Sequence, residues 1–580
     1  MVGRRYRFRR ADRPLPGRTS TGHHLSALLR FLHRLRAASS GEYAVTDRGV
    51  VGIDACEARR RVHADREIAF LDVREAGQFG EGHALFAVPC AYSRLEAMVP
   101  GLVPRKTVPI VLVDDGDGIA ERAARRLREM DYRDVATIDG GMRAWEAAGF
   151  PVYKGVNVPS KLLGELAETV WHPRMVAAPD LAAWKAQGRN FRFYDARPPA
   201  EYAKMRVPGA ACLPNGELAH RLPAIGDEQT PIVITCAGRT RGIVGAIGVA
   251  LTGYAGPVFA LENGTQGWAL SGQTLERRNT AAPFPSLTRE ELLKSREVAL
   301  GIAQRFALET VDANGIEPLV AEDDATTYLF DVRSAAEAAD DPLEGAVHAW
   351  SGQLVQATDQ WVGVRHARIV LFDDSGVRAA IAAFWLRQLG YRPFVAVLDD
   401  EVRDTLGRLA QTRGGSGSLE APGLPRIEPA QANALAASGE ARIVDMRGSL
   451  AYRREHVAGA AWLVRPRADW LAEDVAGKVV CLVADDDSAA AWTAEDLRKV
   501  GAEDVRLVEG GHAALVAAGA QVTSTPGLPA DADAIDHLFF VHDRHDDNME
   551  ASRRYLAWET GLITQMDAAE QAEYQLIRPD

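Results

Sequence analysis

Cys236 ends a run of strand-forming residues, Pro231-Ile-Val-Ile-Thr-Cys236, and the chain continues Ala237-Gly238-Arg239-Thr240-Arg241-Gly242. A helix-like run, Ile243 to Leu251, comes next. A thiol so placed meets a ring of backbone N–H groups, a helix N-terminus and two guanidinium groups. All three favour an anion, so the residues predict a thiolate nucleophile acting on an anionic substrate. The flanking glycine and arginines argue against a buried structural thiol. Gly238 lets the backbone turn tightly, and successive loop amides, from Ala237 onward, form an anion nest. Arg239 and Arg241 offer paired hydrogen bonds to a sulfonate or carboxylate. Thr240 can donate one more.

The elements that position this loop occur four times. An apolar run ends in Asp-x-Arg at Asp72-Val-Arg74, Asp195-Ala-Arg197, Asp331-Val-Arg333 and Asp445-Met-Arg447. A second apolar strand follows each, and the residue just past it is Asp114, Cys236, Asp373 and about Ala484, 39 to 42 residues after the Asp. A third landmark lies 65 to 68 residues after the Asp: Gly140-Gly141, Asn263-Gly264, Asp399-Asp400 and Gly510-Gly511. Three landmarks at near-constant spacing mark an internal repeat the size of a small domain. In the first copy, Val108–Val113 reads as a strand, Ile119–Met130 as an amphipathic helix and Asp134–Ile138 as a strand. Such alternation predicts an α/β fold: four tandem domains, each a parallel sheet flanked by helices on both faces. Ligands of such sheets bind beyond the carboxyl ends of the strands, where Cys236 stands.

Composition narrows the function. The 580 residues carry 47% hydrophobic and 25% charged side chains and a net charge of −12, which argues against a nucleic-acid-binding body. No run of about 18 apolar residues predicts a membrane span. Residues 1–41 hold ten arginines and one acid, Asp12, with Leu25, Leu28, Leu29, Leu32 and Leu35 at roughly helical spacing. That stretch reads as a disordered basic tail, with a targeting segment or a misplaced start as alternatives. Five cysteines, Cys56, Cys90, Cys212, Cys236 and Cys481, form no metal-like spacing and suit a reducing cytoplasm. His537, His542 and His545 with Asp543, Asp546 and Asp547 match no metal spacing either and read as a polar loop. The helix expected after it, Met549–Ala569, carries Tyr555, Leu556, Trp558 and Ile563 and should pack on the repeats or on another subunit.

Linkers at Pro283-Phe-Pro-Ser, Arg413-Gly-Gly-Ser-Gly-Ser and Thr525-Pro-Gly-Leu-Pro-Ala divide the chain. The expected division is a basic extension at 1–45, repeats at 46–156, 157–284, 285–411 and 412–527, and a C-terminal helical segment at 528–580. The third repeat opens on a polar helix, about Arg289–Phe306.

These residues resemble the rhodanese family of sulfurtransferases. Cys236-Ala-Gly-Arg-Thr-Arg241 resembles the family's active-site loop, a cysteine opening a six-residue turn. Arg206-Val-Pro-Gly-Ala210 resembles its His-Ile-Pro-Gly-Ala element, with Arg206 where His is usual. Asn263-Gly-Thr-Gln-Gly-Trp268 corresponds to its Gly-Gly-x-x-x-Trp motif, intact in the first copy as Gly140-Gly-Met-Arg-Ala-Trp145. The resemblance implies a persulfide on Cys236, loaded by an anionic donor such as thiosulfate or 3-mercaptopyruvate. A thiophilic acceptor, cyanide or a thiol, would unload it. It implies no metal and no organic cofactor. Arg241, Arg239, Gly238, Thr240 and Ala237 would hold the anion, with Arg206 adding charge at the rim. Cys212, near the Pro-Gly-Ala turn, reads as a packing residue or a thiol that resolves the persulfide.

The other three loops, Asp114-Asp-Gly-Asp, Asp373-Asp-Ser-Gly and Ala484-Asp-Asp-Asp, offer no thiol and should not transfer sulfur. A loop aspartate is expected to fill its own amide cradle, and Asp-x-Arg, present in all four copies, to be a structural ion pair. Two other functions remain: a sulfur-relay or scaffold protein that passes sulfur to a protein acceptor, and a Cdc25-like phosphatase. The phosphatase uses the longer spacing Cys-x5-Arg, whereas here Arg241 follows at Cys-x4-Arg and residue 242 is Gly.

Overall fold

The computed structural model describes residues 50–412, 419–540, 544 and 548–579. The basic extension and most of the polar loop at 541–547 lie outside the described residues. Four parallel sheets carry the fold, and all four have the same strand order. In the second, Arg174–Val176, Val258–Leu261, Ile232–Thr235, Arg192–Asp195 and Ala211–Cys212 lie side by side in that order. The corresponding central strands are Ile110–Val113, Arg368–Asp373 and Val479–Val483. Each central strand is a short apolar run buried by helices on both sheet faces, as the alternation predicts.

Asp-x-Arg ends the neighbouring strand each time. Thr235 is paired with Asp195, so Cys236 and the Asp195–Arg197 pair leave the sheet side by side. Arg197 donates from Nε and Nη2 to the two Asp195 oxygens at 2.9 and 2.6 Å, and from Nη2 to Met205 O at 2.6 Å. The equivalents Arg74–Asp72, Arg333–Asp331 and Arg447–Asp445 do the same. The motif is a structural ion pair that ties each strand end to the next turn.

The helix after Cys236 runs Thr240–Leu251, beginning three residues earlier than its apolar pattern suggests. It packs on the helix Val158–Trp171, which links the first two repeats. The approach is close: a Cβ on Gly164 would come within 2.8 Å of the Thr240 side chain. Ile243, Val244 and Ile247 share one core with Leu162 and Leu163, and with Ile381, Phe384 and Trp385 of the third repeat. The third repeat also lends Val364–Arg365 as an antiparallel edge strand to the first sheet, a pairing no local pattern announces.

The C-terminal segment crosses the repeats instead of standing apart. Arg453 of the fourth repeat donates to Pro529 O, and Gly77 of the first donates to Ile535 O. The helix Met549–Gly561 lies on the second repeat, and Gln575 N–H donates to Gln388 O in the third. The continuous helix expected over Met549–Ala569 is broken. A 3-10 turn occupies Leu562–Gln565, and Asp567 caps a separate short helix by accepting from Ala569 and Glu570 N–H.

Candidate active site

The loop that begins at Cys236 is held from below by the closing motif of its own repeat. Thr265 N–H donates to Cys236 O at 2.8 Å and Gln266 N–H to Ala237 O at 3.2 Å. Gly264 has φ +53°, and a Cβ there would sit 2.3 Å from Cys236 O. The second glycine of the motif is therefore a requirement of the loop lying across it. The amides of Ala237, Gly238 and Arg239 have no acceptor among the described residues. Gly242 N–H faces the sulfur from the first helical turn, and a Cβ on Gly242 would lie 3.8 Å from Sγ.

The first repeat shows what such a cradle does with an anion. Asp114 stands where Cys236 does, and its carboxylate accepts from Gly116, Gly118 and Ala120 N–H at 2.8, 3.1 and 2.9 Å. In the third repeat Asp373 accepts from Arg378 N–H at 2.9 Å and from Arg378 Nε at 2.8 Å. The fourth loop uses Asp486 to cap its helix, accepting from Ser488 and Ala489 N–H. In the first repeat the loop aspartate thus fills its own amide cradle, whereas in the third it takes one loop amide and pairs with the Arg378 guanidinium.

Cys236 itself is 2% exposed, which corrects the expectation of an accessible sulfur. Two helices from outside the repeat's own sheet, Val158–Trp171 and Met549–Gly561, cover the loop. Burial pushes the thiol above its ordinary value; Glu559 and Asp195 act in the same direction, against Arg241 and the Gly242 N–H. Burial therefore works against the thiolate expected from the loop's sequence.

A cavity of about 400 Å³ opens beside the loop. Ala237 and Arg241 line it from the second repeat, Lys161 from the linker helix, Gln353 and Gln356 from the third repeat, and Tyr555 and Trp558 from the C-terminal helix. Its wall carries five basic side chains, the others being Arg197, Lys204 and Arg544, against one carboxylate, Glu201. Three of the five are already paired with carboxylates, Arg197 with Asp195, Arg241 with Glu201 and Lys161 with Glu559, so an anion entering here competes with those acids.

The residues expected at the site divide into two groups. Cys236, Ala237, Gly238, Thr240 and Arg241 lie together. Arg239 does not line the cavity: its guanidinium is held by Glu165 at 2.7 and 3.0 Å, by Glu168, and by Asn263 Oδ1 at 3.3 Å. Arg206 is also off the cavity, on a two-stranded ribbon where it pairs with Glu276 at 2.5 Å and donates to the Tyr202 hydroxyl. Its neighbours Lys204 and Met205 line the wall instead. Thr240 points its hydroxyl at Glu559, with Oγ1 2.9 Å from Oε1. Lys161, Gln353, Tyr555 and Glu559 were not singled out for chemistry in the sequence, because none lies near the loop in the chain.

One grouping among the described residues has metal-ligating atoms close together: His220, Glu337 and Asp374. Arg378 and Arg221 already pair with Glu337, and Arg378 with Asp374, so the cluster's charge is met by guanidinium groups.

The family model described as the rhodanese-like domain matches residues 54–148, 178–271 and 317–403. The fourth sheet lies outside these matches although its strand order is the same. Among solved structures, the thiosulfate sulfurtransferase from Pseudomonas aeruginosa is similar at 34% identity and a TM-score of 0.82. The match covers 92% of this chain and 100% of that one. The Alr3790 protein from Anabaena sp. matches at 26% identity and a TM-score of 0.17, over 18% of this chain and 84% of its own. No curated protein sequence matches the chain. No helix among the described residues is long and apolar enough to cross a membrane.

Proposed function

Since this chain belongs to the rhodanese family of sulfurtransferases, we propose that Cys236 is its nucleophile and thiosulfate its donor. The Cys236 thiol first gives up its proton to solvent. The thiolate then attacks the outer sulfur of thiosulfate, the donor S–S bond breaks, and sulfite leaves with the bonding pair. The persulfide sits in the amides that Ala237, Gly238 and Arg239 leave open, as the Asp114 carboxylate sits in its own cradle. Cyanide or a thiol takes the outer sulfur and returns Cys236 as thiolate, two half-reactions that give ping-pong kinetics.

The single observation that carries this reading is the open cradle behind Cys236, beside a cavity that Arg241 lines. Asp114 fills the equivalent cradle of the first repeat, Asp373 is spent on Arg378 in the third, and the fourth loop has no thiol, so a single transfer site serves the chain. Arg241 is the anion binder in this reading. Arg239 and Arg206 serve the frame, because both are turned away from the cavity onto carboxylates, whereas Arg241 lines it although Glu201 pairs with it. The fourth sheet is read as a rhodanese-like repeat on its strand order. Five free cysteines support a reducing compartment such as the cytoplasm.

The test is thiocyanate production from thiosulfate and cyanide by the full chain, with 3-mercaptopyruvate compared as donor. A mass increase of roughly 32 daltons on the Cys236 peptide after thiosulfate alone identifies the persulfide. Activity that survives Cys236→Ser would overturn the assignment.

A further inference from the structure

Glu559 reaches the Cys236 loop from the far end of the chain, 319 residues beyond Thr240. It is 1% exposed. Its Oε1 accepts from Thr240 Oγ1 at 2.9 Å and lies 3.6 Å from Lys161 Nζ. Its Oε2 is buried and makes no hydrogen bond. That bare oxygen is turned toward the loop: a Cβ on Gly238 would stand 3.0 Å from it. On another side of the same point is the Gln266 amide, 3% exposed, with its oxygen and nitrogen both unpartnered. Two buried polar groups with unused hydrogen-bonding capacity thus flank the turn that carries the nucleophile. Groups left so are costly in a merely structural contact.

The charges around Glu559 are few and fixed. Lys161 and Glu165 face it from the linker helix, Arg239 from the loop, and Tyr555 from its own helix. Lys161 Nζ is shared, donating to Tyr555 OH at 2.6 Å. Arg239 is spent on Glu165 and Glu168. The sulfur is faced by Arg241 and Asp195 as well as by Glu559. Among the described residues, the ion-pair partner of the Glu559 carboxylate is Lys161.

We propose that Glu559 is a positioning residue of the sulfur-transfer site: it ties the loop through Thr240, keeps one negative charge against it, and so sets which donor charge the loop admits. The proposal rests on Cys236 being the nucleophile. A dianion such as thiosulfate meets this carboxylate with twice the charge of a monoanion such as 3-mercaptopyruvate. The C-terminal helix thereby tunes donor choice from outside the catalytic repeat, and the same charge restrains ionisation of the resting thiol.

The full chain is compared with Glu559→Gln and Glu559→Asp. Alkylation of Cys236 by iodoacetamide is followed by peptide mass across pH, without donor, and KM is measured for both donors. In E559Q the alkylation midpoint moves to lower pH, and the KM for thiosulfate falls about tenfold relative to that for 3-mercaptopyruvate. E559D retains the wild-type midpoint. A folded E559Q with an unchanged midpoint and an unchanged KM ratio overturns the proposal. Should E559Q not fold, Lys161→Met, which strips the carboxylate of its cation, must move the midpoint up; a fall or no change overturns it equally. Because alkylation needs no donor, this failure is distinct from that of the nucleophile itself, which shows as activity in C236S.

Discussion

Arg241 and Glu201 form a two-point ion pair on the cavity wall, with Nη1 2.7 Å from Oε1 and Nη2 2.8 Å from Oε2. Burial opposes the guanidinium charge, and Glu201, together with Cys236 and Asp195, outweighs it and raises Arg241 above its ordinary value. An anionic donor that uses Arg241 must compete with this carboxylate. Glu201→Gln should lower the KM for thiosulfate by about three- to tenfold with little change in kcat. Arg241→Met should raise that KM by at least as much. Steady-state kinetics on the two variants checks both signs; a higher KM in E201Q would mean that Glu201 orients Arg241 for the donor.

Cys236→Ser should lower thiocyanate formation about a thousandfold or more, to the level of the uncatalysed mixture. Substituting Cys212 or Cys481 by Ser should leave transfer largely intact, since both thiols are buried and pushed up, to about 12 and about 11. Activity assays with mass analysis of the persulfide separate these outcomes.

Gly264→Ala should cripple transfer more than it destabilises the chain. The new Cβ would meet Cys236 O at 2.3 Å, in a backbone with φ +53°. The loop must lift or the turn must rebuild, at about 1–3 kcal/mol. The equivalent Gly141→Ala, whose Cβ would lie 2.3 Å from Asp114 O, should cost similar stability and leave transfer close to normal. Urea unfolding and the thiocyanate assay on both variants distinguish the two roles.

His83 is buried, stacked on Phe79 with ring centroids 3.9 Å apart. Burial pushes its imidazole down from the ordinary 6.5 to about 4. The unfolded chain takes up this proton first as pH falls. Stability from the neutral ring is therefore complete above pH ~6.5, is lost progressively as pH falls toward about 4, and is flat below. The loss amounts to something on the order of 3 kcal/mol. His83→Phe, which keeps an aromatic ring against Phe79, should lack this slope. Urea midpoints of both proteins between pH 7.5 and pH 4.5 provide the comparison.

Much of the fold was legible because its signals are local. The central strands and the helix after each loop are short apolar runs of distinct period, and each repeat restates them. The strand expected at Val108–Val113 is Ile110–Val113, and the helix expected at Arg289–Phe306 is Arg289–Arg305. The Asp-x-Arg pair closes on itself within three residues. The joins between repeats were not legible. The edge strand Val364–Arg365 belongs by sequence to one repeat and by hydrogen bonds to another. The C-terminal helix looked like packing, because an amphipathic stripe does not say which surface will bury it.

What the sequence by itself determined is which of four equivalent loops holds a thiol and which hold aspartate, since residue type at a repeated position is local information. It also set the loop length that separates sulfur from phosphate chemistry. The tertiary structure alone decided the electrostatics. Arg239, a free cation on paper, is consumed by Glu165 and Glu168 of the linker helix, and Arg206 by Glu276. Cys236, a thiolate on paper, is sealed beneath two helices, and burial pushes its thiol above the ordinary value. Charge and burial depend on which distant segments come within a few ångströms, and Glu559 comes from 319 residues away.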